Sequence, residues 1–324
     1  MKELDHQVLR LMGAERVLRT EKVQTLWSGY GEIVRYHLAG GPHEVVIVKH
    51  IRWPEGQQKH PRGWNTDLGH ERKLKSYQIE QCWYTTYAAR TTADCRVPEL
   101  YHALALDSEV VLVMEDLNAS GYALRRTPEA VSIGEVKRGL RWLAHFHGAF
   151  LGVNPAGLWP LGTYWHLATR PEEWARMQNA ALKEAAEAID ERLSAARYQT
   201  LVHGDAKLAN FCFGAEGEIA AVDFQYVGGG CGMKDVAYFI SSCLEETDCE
   251  RHETELLAHY FQHLQTALRP DVDFEALEVE WRGLYAFAWA DFYRFLDGWS
   301  PGHWKMHDYS EKLTQMALRQ LGKM

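Results

Sequence analysis

Residues 201–225 read LVHGDAKLANFCFGAEGEIAAVDFQ, and this stretch decides how the chain folds. The short apolar run at 200–202 predicts a strand that delivers Asp205 at its end. Asn210 follows five residues later, across a loop that is too short to form a helix. The stretch therefore predicts a strand and then a tight loop that carries two polar residues.

A hairpin is predicted directly after this loop. The runs at 210–213 and 218–224 have strand character, and they are separated by residues 214–217, which read Gly-Ala-Glu-Gly. A four-residue connection that contains glycine is typical of a β-hairpin. Pairing of the two runs brings Asp223 beside Asn210.

These three polar residues suit phosphoryl transfer. The carboxylate of Asp223 and the amide oxygen of Asn210 would suit Mg²⁺, a hard cation that takes few protein ligands and fills its other positions with phosphate and water. Asp205 then stays free to accept a proton from an incoming hydroxyl, as the catalytic-loop aspartate does in protein kinases. The alternative is a buried aspartate that caps a turn, but that role requires neither an asparagine nor a second aspartate at hairpin spacing.

The motif also resembles a known group of enzymes. His203-Gly204-Asp205 with Asn210 five residues on, followed by Val222-Asp223-Phe224-Gln225, is similar to the aminoglycoside and choline phosphotransferase superfamily. Three segments resemble its choline-kinase-like, or ecdysteroid-kinase-like, branch: Asp223-Phe224-Gln225, Glu115-Asp116-Leu117 and Lys234-Asp235-Val236-Ala237-Tyr238-Phe239.

This resemblance implies an α+β, two-lobed, protein-kinase-like fold. Residues 1–117 would form a nucleotide-covering lobe with an antiparallel sheet and a helix, and residues 118–324 a mostly helical catalytic and acceptor-binding lobe. The resemblance implies ATP and Mg²⁺ as cofactors and a hydroxyl of a small molecule as phosphoryl acceptor. Two lobes also suit a chain of 324 residues, which exceeds a typical single domain.

Composition excludes several other classes. A chain with 46% hydrophobic and 24% charged residues is an ordinary globular protein. The net charge of −9 disfavours a nucleic-acid partner, which requires a basic face. The six cysteines include no C-x-x-C pair and are interpreted as reduced thiols. The N-terminus lacks a basic stretch followed by an apolar run, and no apolar run reaches eighteen residues, so we expect a soluble, cytoplasmic protein without a membrane partner.

The first lobe carries two candidate phosphate contacts. Residues 28–31 read Ser-Gly-Tyr-Gly between two predicted strands, and Gly29 would let backbone amides approach a phosphate, although an ordinary hairpin is the alternative. Lys49 ends an apolar strand, and the resemblance implies that it contacts nucleotide phosphates and pairs with a glutamate of the next helix. Glu80 is our choice for that glutamate, with Glu71 as the competitor on the same predicted helix, 67–90.

Adenine contacts are predicted where the first lobe ends. Strands at 100–106 and 109–114 flank a turn at 107–108, and the second strand runs into Glu115-Asp116-Leu117. The resemblance implies that backbone groups from Glu115 to Leu117 contact the base, whereas the alternative is an ordinary loop between a strand and a helix. A polar loop at 52–66 precedes the helix of this lobe.

The second lobe has clear helix signals. Ser132 and Glu135 form a capping-box pattern, and Pro171 predicts the start of a helix that reaches residue 195. The glycines at 228–230 predict a flexible loop, and Asp235, at the start of a helix, is interpreted as structural support for the catalytic loop.

An aromatic segment at 281–304 leaves the acceptor site open to two interpretations. An aromatic box with carboxylates holds a cationic ammonium by cation–π attraction, and Asp291 and Trp299 are its predicted members. Aromatic rings at helical spacing otherwise fill a core. The acceptor itself is left open among choline, an aminoglycoside, a sugar and a steroid-like alcohol, and the alternative function is a nucleotide-binding pseudokinase or regulatory module without turnover.

Overall fold

The computed structural model describes residues 3–26, 29–53, 67–106 and 109–323. These residues form two compact units: an N-terminal unit of residues 1–89 and 97–124, and a C-terminal unit of residues 90–96 and 125–324. Most of the predicted polar loop (54–66), the predicted turn at 107–108 and Ser28 lie outside the described residues.

The boundary between the units differs from residue 117, where the sequence places it. Residues after Leu117 stay with the N-terminal unit, where the Tyr122 N–H donates to the Leu117 carbonyl at 2.8 Å. Residues 90–96 join the C-terminal unit because the Arg96 carbonyl accepts hydrogen bonds from the Trp142 indole and the Ala221 N–H.

The N-terminal unit is a five-stranded antiparallel sheet with strand order β1-β2-β3-β5-β4 and two α-helices in its described residues. Its elements are α1 (Glu3–Met12), β1 (Arg16–Thr25), β2 (Gly31–Ala39), β3 (Val45–Arg52), α2 (Asp67–Cys82), β4 (Leu100–Leu106) and β5 (Glu109–Glu115). A π-helical turn, Trp83–Tyr87, follows α2.

Alternation along β3 decides where Lys49 points. Val46 and Val48 lie in a buried cluster with Val8 and Met12 of α1. Side chains of successive strand residues point to opposite faces of a sheet, so Lys49 lies on the face opposite to α1. Glu80 of α2 reaches the Lys49 ammonium on that second face.

The C-terminal unit is mostly helical and contains two small antiparallel pairs, β6 with β9 and β7 with β8. Its elements are α3 (Ile133–Ala149), α4 (Pro171–Arg176), α5 (Ala180–Ser194), β6 (Thr200–Val202), β7 (Phe211–Phe213), β8 (Ile219–Ala221), β9 (Gly228–Gly230), α6 (Met233–Cys243), α7 (Glu246–Ala267), α8 (Phe274–Trp299) and α9 (Asp308–Gln320). The predicted α+β class is confirmed, with a sheet-rich unit and a helical unit. The capping box of Ser132 and Glu135 is confirmed at the start of α3.

Two sequence predictions in this unit are wrong. The helix predicted from Pro171 to residue 195 is interrupted between α4 and α5, because the Asp297 carboxylate accepts the N–H groups of Gln178 and Asn179. Asn179 then caps α5 by accepting the Leu182 N–H. The glycines at 228–230 form strand β9, where a Cβ at Gly228 would lie 2.2 Å from the Trp159 carbonyl oxygen. These glycines therefore permit close packing instead of flexibility.

The helices in the described ranges include none that is long and apolar enough to cross a lipid bilayer. The six cysteines are free thiols.

Candidate active site

Three side chains hold the carboxylate of Asp205, which is 6% exposed in the loop after β6. The Tyr238 hydroxyl donates to Oδ1 at 3.2 Å, and the Lys207 ammonium donates to Oδ2 at 2.9 Å. The Asn210 amide donates to Oδ2 at 3.1 Å and to the Asp205 carbonyl at 2.8 Å. Both carboxylate oxygens therefore have fixed directions before any substrate binds.

The loop itself is held by Asp235, which is fully buried in the first turn of α6. Its two carboxylate oxygens accept the backbone N–H groups of His203 at 2.5 Å and Gly204 at 3.0 Å. His147 contacts the same carboxylate at 3.1 Å and the Tyr260 hydroxyl at 2.8 Å. Asp235 thus supports the loop, as the sequence predicts. Its place in the first turn of α6 also stabilises its negative charge, because a helix N-terminus carries a partial positive charge.

His203 supports the loop as a neutral ring. Burial lowers the pKa of its imidazole. Nε2 lies 3.1 Å from the Val222 carbonyl, which can only accept, so Nε2 carries the proton and Nδ1 accepts the Asp205 N–H at 3.3 Å. The ring therefore connects the loop of Asp205 to the strand end that precedes Asp223.

Gly204 cannot be replaced without moving the backbone. Its φ is +78°, and a Cβ on this residue would lie 2.0 Å from the Tyr226 carbonyl oxygen and 2.8 Å from the Thr163 nitrogen. Only glycine combines this backbone conformation with so close an approach. The glycine of the His-Gly-Asp motif is thus explained by local sterics.

The predicted hairpin brings Asn210 and Asp223 to neighbouring strand ends. β7 pairs with β8, and the Val222 N–H donates to the Asn210 carbonyl at 2.9 Å. Asp223 has a positive φ of +71°, a conformation that is uncommon for residues other than glycine, asparagine and aspartate. Gln225 donates its amide to the Asp223 carboxylate. The half-buried Asp223 side chain is therefore held at a sharp bend directly after the hairpin.

The donor set of this bend fits Mg²⁺. The Asn210 amide nitrogen is engaged by Asp205, so the amide oxygen is the atom of that side chain suited to a cation. The described residues contain no group of three or more histidine, cysteine, aspartate or glutamate side chains that could enclose a metal. One amide and one carboxylate instead match an ion that shares its coordination with phosphates and water.

In the N-terminal unit, Lys49 and Glu80 form a buried ion pair. The Lys49 ammonium lies 2.6 Å from Glu80 Oε2, and the two residues are 3% and 2% exposed. Glu71 is exposed on the same helix. Of the two glutamates considered from the sequence, Glu80 is therefore the one that contacts Lys49.

Three further predicted residues lie in this unit. Gly29 is exposed, has φ +77° and donates its N–H to the Leu26 carbonyl at 3.3 Å. Glu115 ends β5 and is 7% exposed, and its side chain accepts the Glu99 N–H at 3.0 Å. Leu117 is 5% exposed. Their roles toward a nucleotide stay predictions.

The predicted acceptor residues lie on α8 in the C-terminal unit. Asp291 is fully buried and contacts the Trp165 indole at 2.9 Å, Arg294 at 2.6 Å and Lys234 at 3.4 Å. Despite its burial, these neighbouring cations lower the pKa of Asp291 to about 2. Trp299 stacks on Phe295 with ring centroids 5.5 Å apart. The binding of an acceptor by Asp291 or Trp299 stays a prediction, and the carboxylate of Asp291 already has two cationic partners.

Sequence reasoning missed two side chains that contact Asp205. Lys207 could have been found, because it lies two residues after Asp205 within the motif itself. Tyr238 lies three residues after Asp235 on α6, and residues at this spacing share a helix face. The predicted support of the catalytic loop by Asp235, combined with this spacing, could have placed Tyr238 near Asp205.

A known protein family matches the part of the chain that carries this site. The model of the ecdysteroid kinase-like family matches residues 163–270, which include the loop of Asp205, the hairpin and Asp235. The predicted resemblance to this branch is thereby confirmed. None of the curated protein sequences compared with the chain matches it.

Several solved structures are similar to the whole chain. A microcompartment-associated aminopropanol kinase has 16% identity over 99% of this chain and 94% of that chain, with a TM-score of 0.51. The choline kinase LicA from Streptococcus pneumoniae has 14% identity over 99% and 98% of the two chains, with a TM-score of 0.48. A thermostable mutant of aminoglycoside phosphotransferase APH(4)-Ia has 11% identity over 99% and 100%, with a TM-score of 0.49. The first of these shows that the chain shares the fold of a small-molecule kinase.

Proposed function

We propose that the protein is an ATP-dependent kinase that transfers the γ-phosphoryl group of ATP to a hydroxyl of a small acceptor. The observation that carries this proposal is the arrangement around Asp205. A buried carboxylate with both oxygens fixed lies in one loop with Asn210, and Asp223 follows the hairpin that starts at Asn210.

Asp205 would orient the acceptor hydroxyl and take its proton. Because Tyr238, Lys207 and Asn210 already hold the carboxylate, little reorganisation is needed when the acceptor arrives. The Asp205 carboxylate also raises the pKa of Lys207, so this ammonium stays charged beside the reacting group. A fixed positive charge at this place stabilises the negative charge of a transferring phosphoryl group.

The remaining predicted residues would bind the nucleotide. Asn210 and Asp223 would hold Mg²⁺, which when bound neutralises phosphate charge. Lys49, oriented by Glu80, would contact the phosphates, while Gly29 and the backbone from Glu115 to Leu117 would contact the nucleotide. These assignments rest on the family resemblance together with the Lys49 to Glu80 ion pair.

The proposal is tested by incubating the purified chain with Mg·ATP and an extract of small metabolites and identifying phosphorylated products by mass. We expect wild-type protein to form a product, and Asp205→Asn to lower the rate by about 10²–10⁴-fold, the usual size of a general-base contribution. Asp271→Asn is the matched control, because the Asp271 side chain is 73% exposed and remote in sequence from the motif.

Nucleotide binding separates the roles of the two aspartates. Asp205→Asn should retain the affinity for Mg·ATP, measured by calorimetry, whereas Asp223→Ala should lose the dependence of ATP binding on Mg²⁺. An equal loss of Mg·ATP affinity in both variants would contradict this division. A wild-type chain that binds Mg·ATP but yields no product with any acceptor would instead be a pseudokinase.

A further inference from the structure

Lys305 is a buried cation next to the candidate active site. It lies in the loop between α8 and α9 and is only 8% exposed. Its ammonium lies 4.6 Å from the centroid of the Tyr238 ring, 5.4 Å from that of Phe292 and 5.5 Å from that of Trp304. The lysine therefore places a positive charge among aromatic rings.

This ammonium has no carboxylate partner within the part of the chain that the structure describes. The nearby acid of the aromatic segment, Asp291, is engaged by Arg294 and Lys234. Burying a charge without an ionic partner is costly, and aromatic faces compensate it only in part. An anion that bound beside Lys305 would supply the missing compensation.

Tyr238 connects Lys305 to the proposed base. The phenol hydroxyl donates to Asp205 Oδ1 at 3.2 Å, and the face of the same ring contacts the Lys305 ammonium. Burial raises the pKa of this phenol well above its usual value, so it remains a neutral donor. Tyr238 therefore contacts both Lys305 and Asp205, and the Asp205 carboxylate also acts on the charge of Lys305.

The same geometry disfavours a cationic acceptor. The faces of Tyr238 and Phe292 already carry Lys305, and the guanidinium of Arg170 lies 5.5 Å from the Phe295 ring centroid. A second cation at these rings would meet charge repulsion instead of an empty aromatic box.

We propose that Lys305 belongs to the acceptor site and that the acceptor is a small hydroxy acid, whose anionic group pairs with Lys305 while its hydroxyl meets Asp205. This inference rests on the proposed kinase function and adds the class of acceptor. In the reaction, the acceptor oxygen forms a bond to the γ-phosphorus of ATP, and the bond from that phosphorus to the β,γ-bridging oxygen breaks. The hydroxyl proton passes to Asp205, and ADP leaves with the bridging oxygen.

The test identifies the acceptor of the Asp205-dependent product in the metabolite extract and then compares that acceptor with an analogue whose anionic group is an uncharged amide. The acceptor should carry a carboxylate or another anion, and wild type should have a lower KM for it than for the amide. Lys305→Met should raise the KM for the acid about tenfold to a hundredfold, the range for a lost charged hydrogen bond, and leave the KM for ATP unchanged. Lys305→Arg should keep the preference for the acid.

Lys312→Met is the matched control, since Lys312 is exposed on α9 and its ion pair with Glu250 is also exposed. A neutral or cationic acceptor would overturn the inference and leave the kinase proposal intact. An unchanged KM in a folded Lys305→Met variant would also overturn it. If that variant does not fold, an equal KM of wild type for acid and amide decides against the inference. Absence of any Asp205-dependent product would overturn the proposed function, and the inference with it.

Discussion

Two buried lysines, one in each unit, have opposite surroundings. Lys49 lies on a central strand of the N-terminal sheet, is 3% exposed and forms an ion pair with Glu80 at 2.6 Å. Lys305 lies in a loop of the C-terminal unit, is 8% exposed and faces the rings of Tyr238, Phe292 and Trp304. The first ammonium has a carboxylate partner, and the second has none among the described residues.

The difference shows that a buried lysine can be compensated by the fold itself or left poorly compensated. Glu80 neutralises Lys49 within the fold and fixes its direction, so its position does not depend on a ligand. Burial lowers the pKa of Lys305 to about 7, because the surroundings compensate its charge poorly. Removing Lys49 should therefore lower the free energy of unfolding, and removing Lys305 should raise it.

The largest effect is expected for Lys49→Met. This variant removes the Lys49 ammonium from the buried Glu80 carboxylate, and breaking a buried ion pair in this way costs about 3–5 kcal/mol. The double variant Lys49→Met/Glu80→Leu removes both charges and should recover most of the loss, as measured by denaturant unfolding. Equal stability of the single and double variants would show that the pair contributes little.

The next largest effect is expected in the affinity for Mg·ATP, which should depend on Lys49 and not on Lys305. Lys49→Met should raise the Kd for Mg·ATP about tenfold to a hundredfold, because a charged contact to phosphate is lost. Lys305→Met should leave that Kd unchanged. Calorimetry with Mg·ATP on both variants measures this, and a similar loss of affinity in both would mean that Lys305 also serves the nucleotide.

Lys305→Met should stabilise the protein at neutral pH. The substitution keeps the apolar part of the side chain and removes a charge whose burial is poorly compensated. We expect the free energy of unfolding to rise by about 1–3 kcal/mol as a result. The melting temperature at pH 7 measures the gain, with Lys312→Met as the exposed control, for which we expect a change within about 0.5 kcal/mol. A large destabilisation by Lys305→Met would indicate a hidden ionic partner.

The smallest expected effect is a change with pH in the stability that Lys305→Met gains over wild type. Between pH 7 and 10.5 the unfolded chain keeps a proton on Lys305 that the folded chain releases, so the contribution of Lys305 to the free energy of unfolding of wild type becomes more favourable as pH rises in this window. The advantage of Lys305→Met should therefore be largest below pH 7 and shrink toward pH 10.5. The charged or titratable groups acting on Lys305 are Asp205, Lys207, Cys243 and Cys249. Melting curves at pH 6 and pH 9 test this, and an advantage that does not change would contradict it.

Local patterns predicted those parts of the site whose neighbours are close in sequence. The strand before Asp205, the hairpin and the capping box at Ser132 depend on contacts across a few residues, and each is present. The helix predicted from Pro171 failed because Asp297, more than one hundred residues away, accepts the N–H groups at its break. The glycines of β9 were mistaken for a flexible loop because their close packing involves the distant Trp159.

The sequence by itself determined which chemistry the protein carries: an aspartate, an asparagine and a second aspartate at the spacing of a loop and a hairpin, and a lysine on an apolar strand. Those signals are readable because strand period and turn length follow from local backbone geometry. Only the tertiary structure decided that Tyr238 holds Asp205 and that Lys305 stands beside Tyr238 with no acid partner among the described residues. Burial and pairing of a charge depend on which distant elements pack together, and no spacing along the chain encodes that.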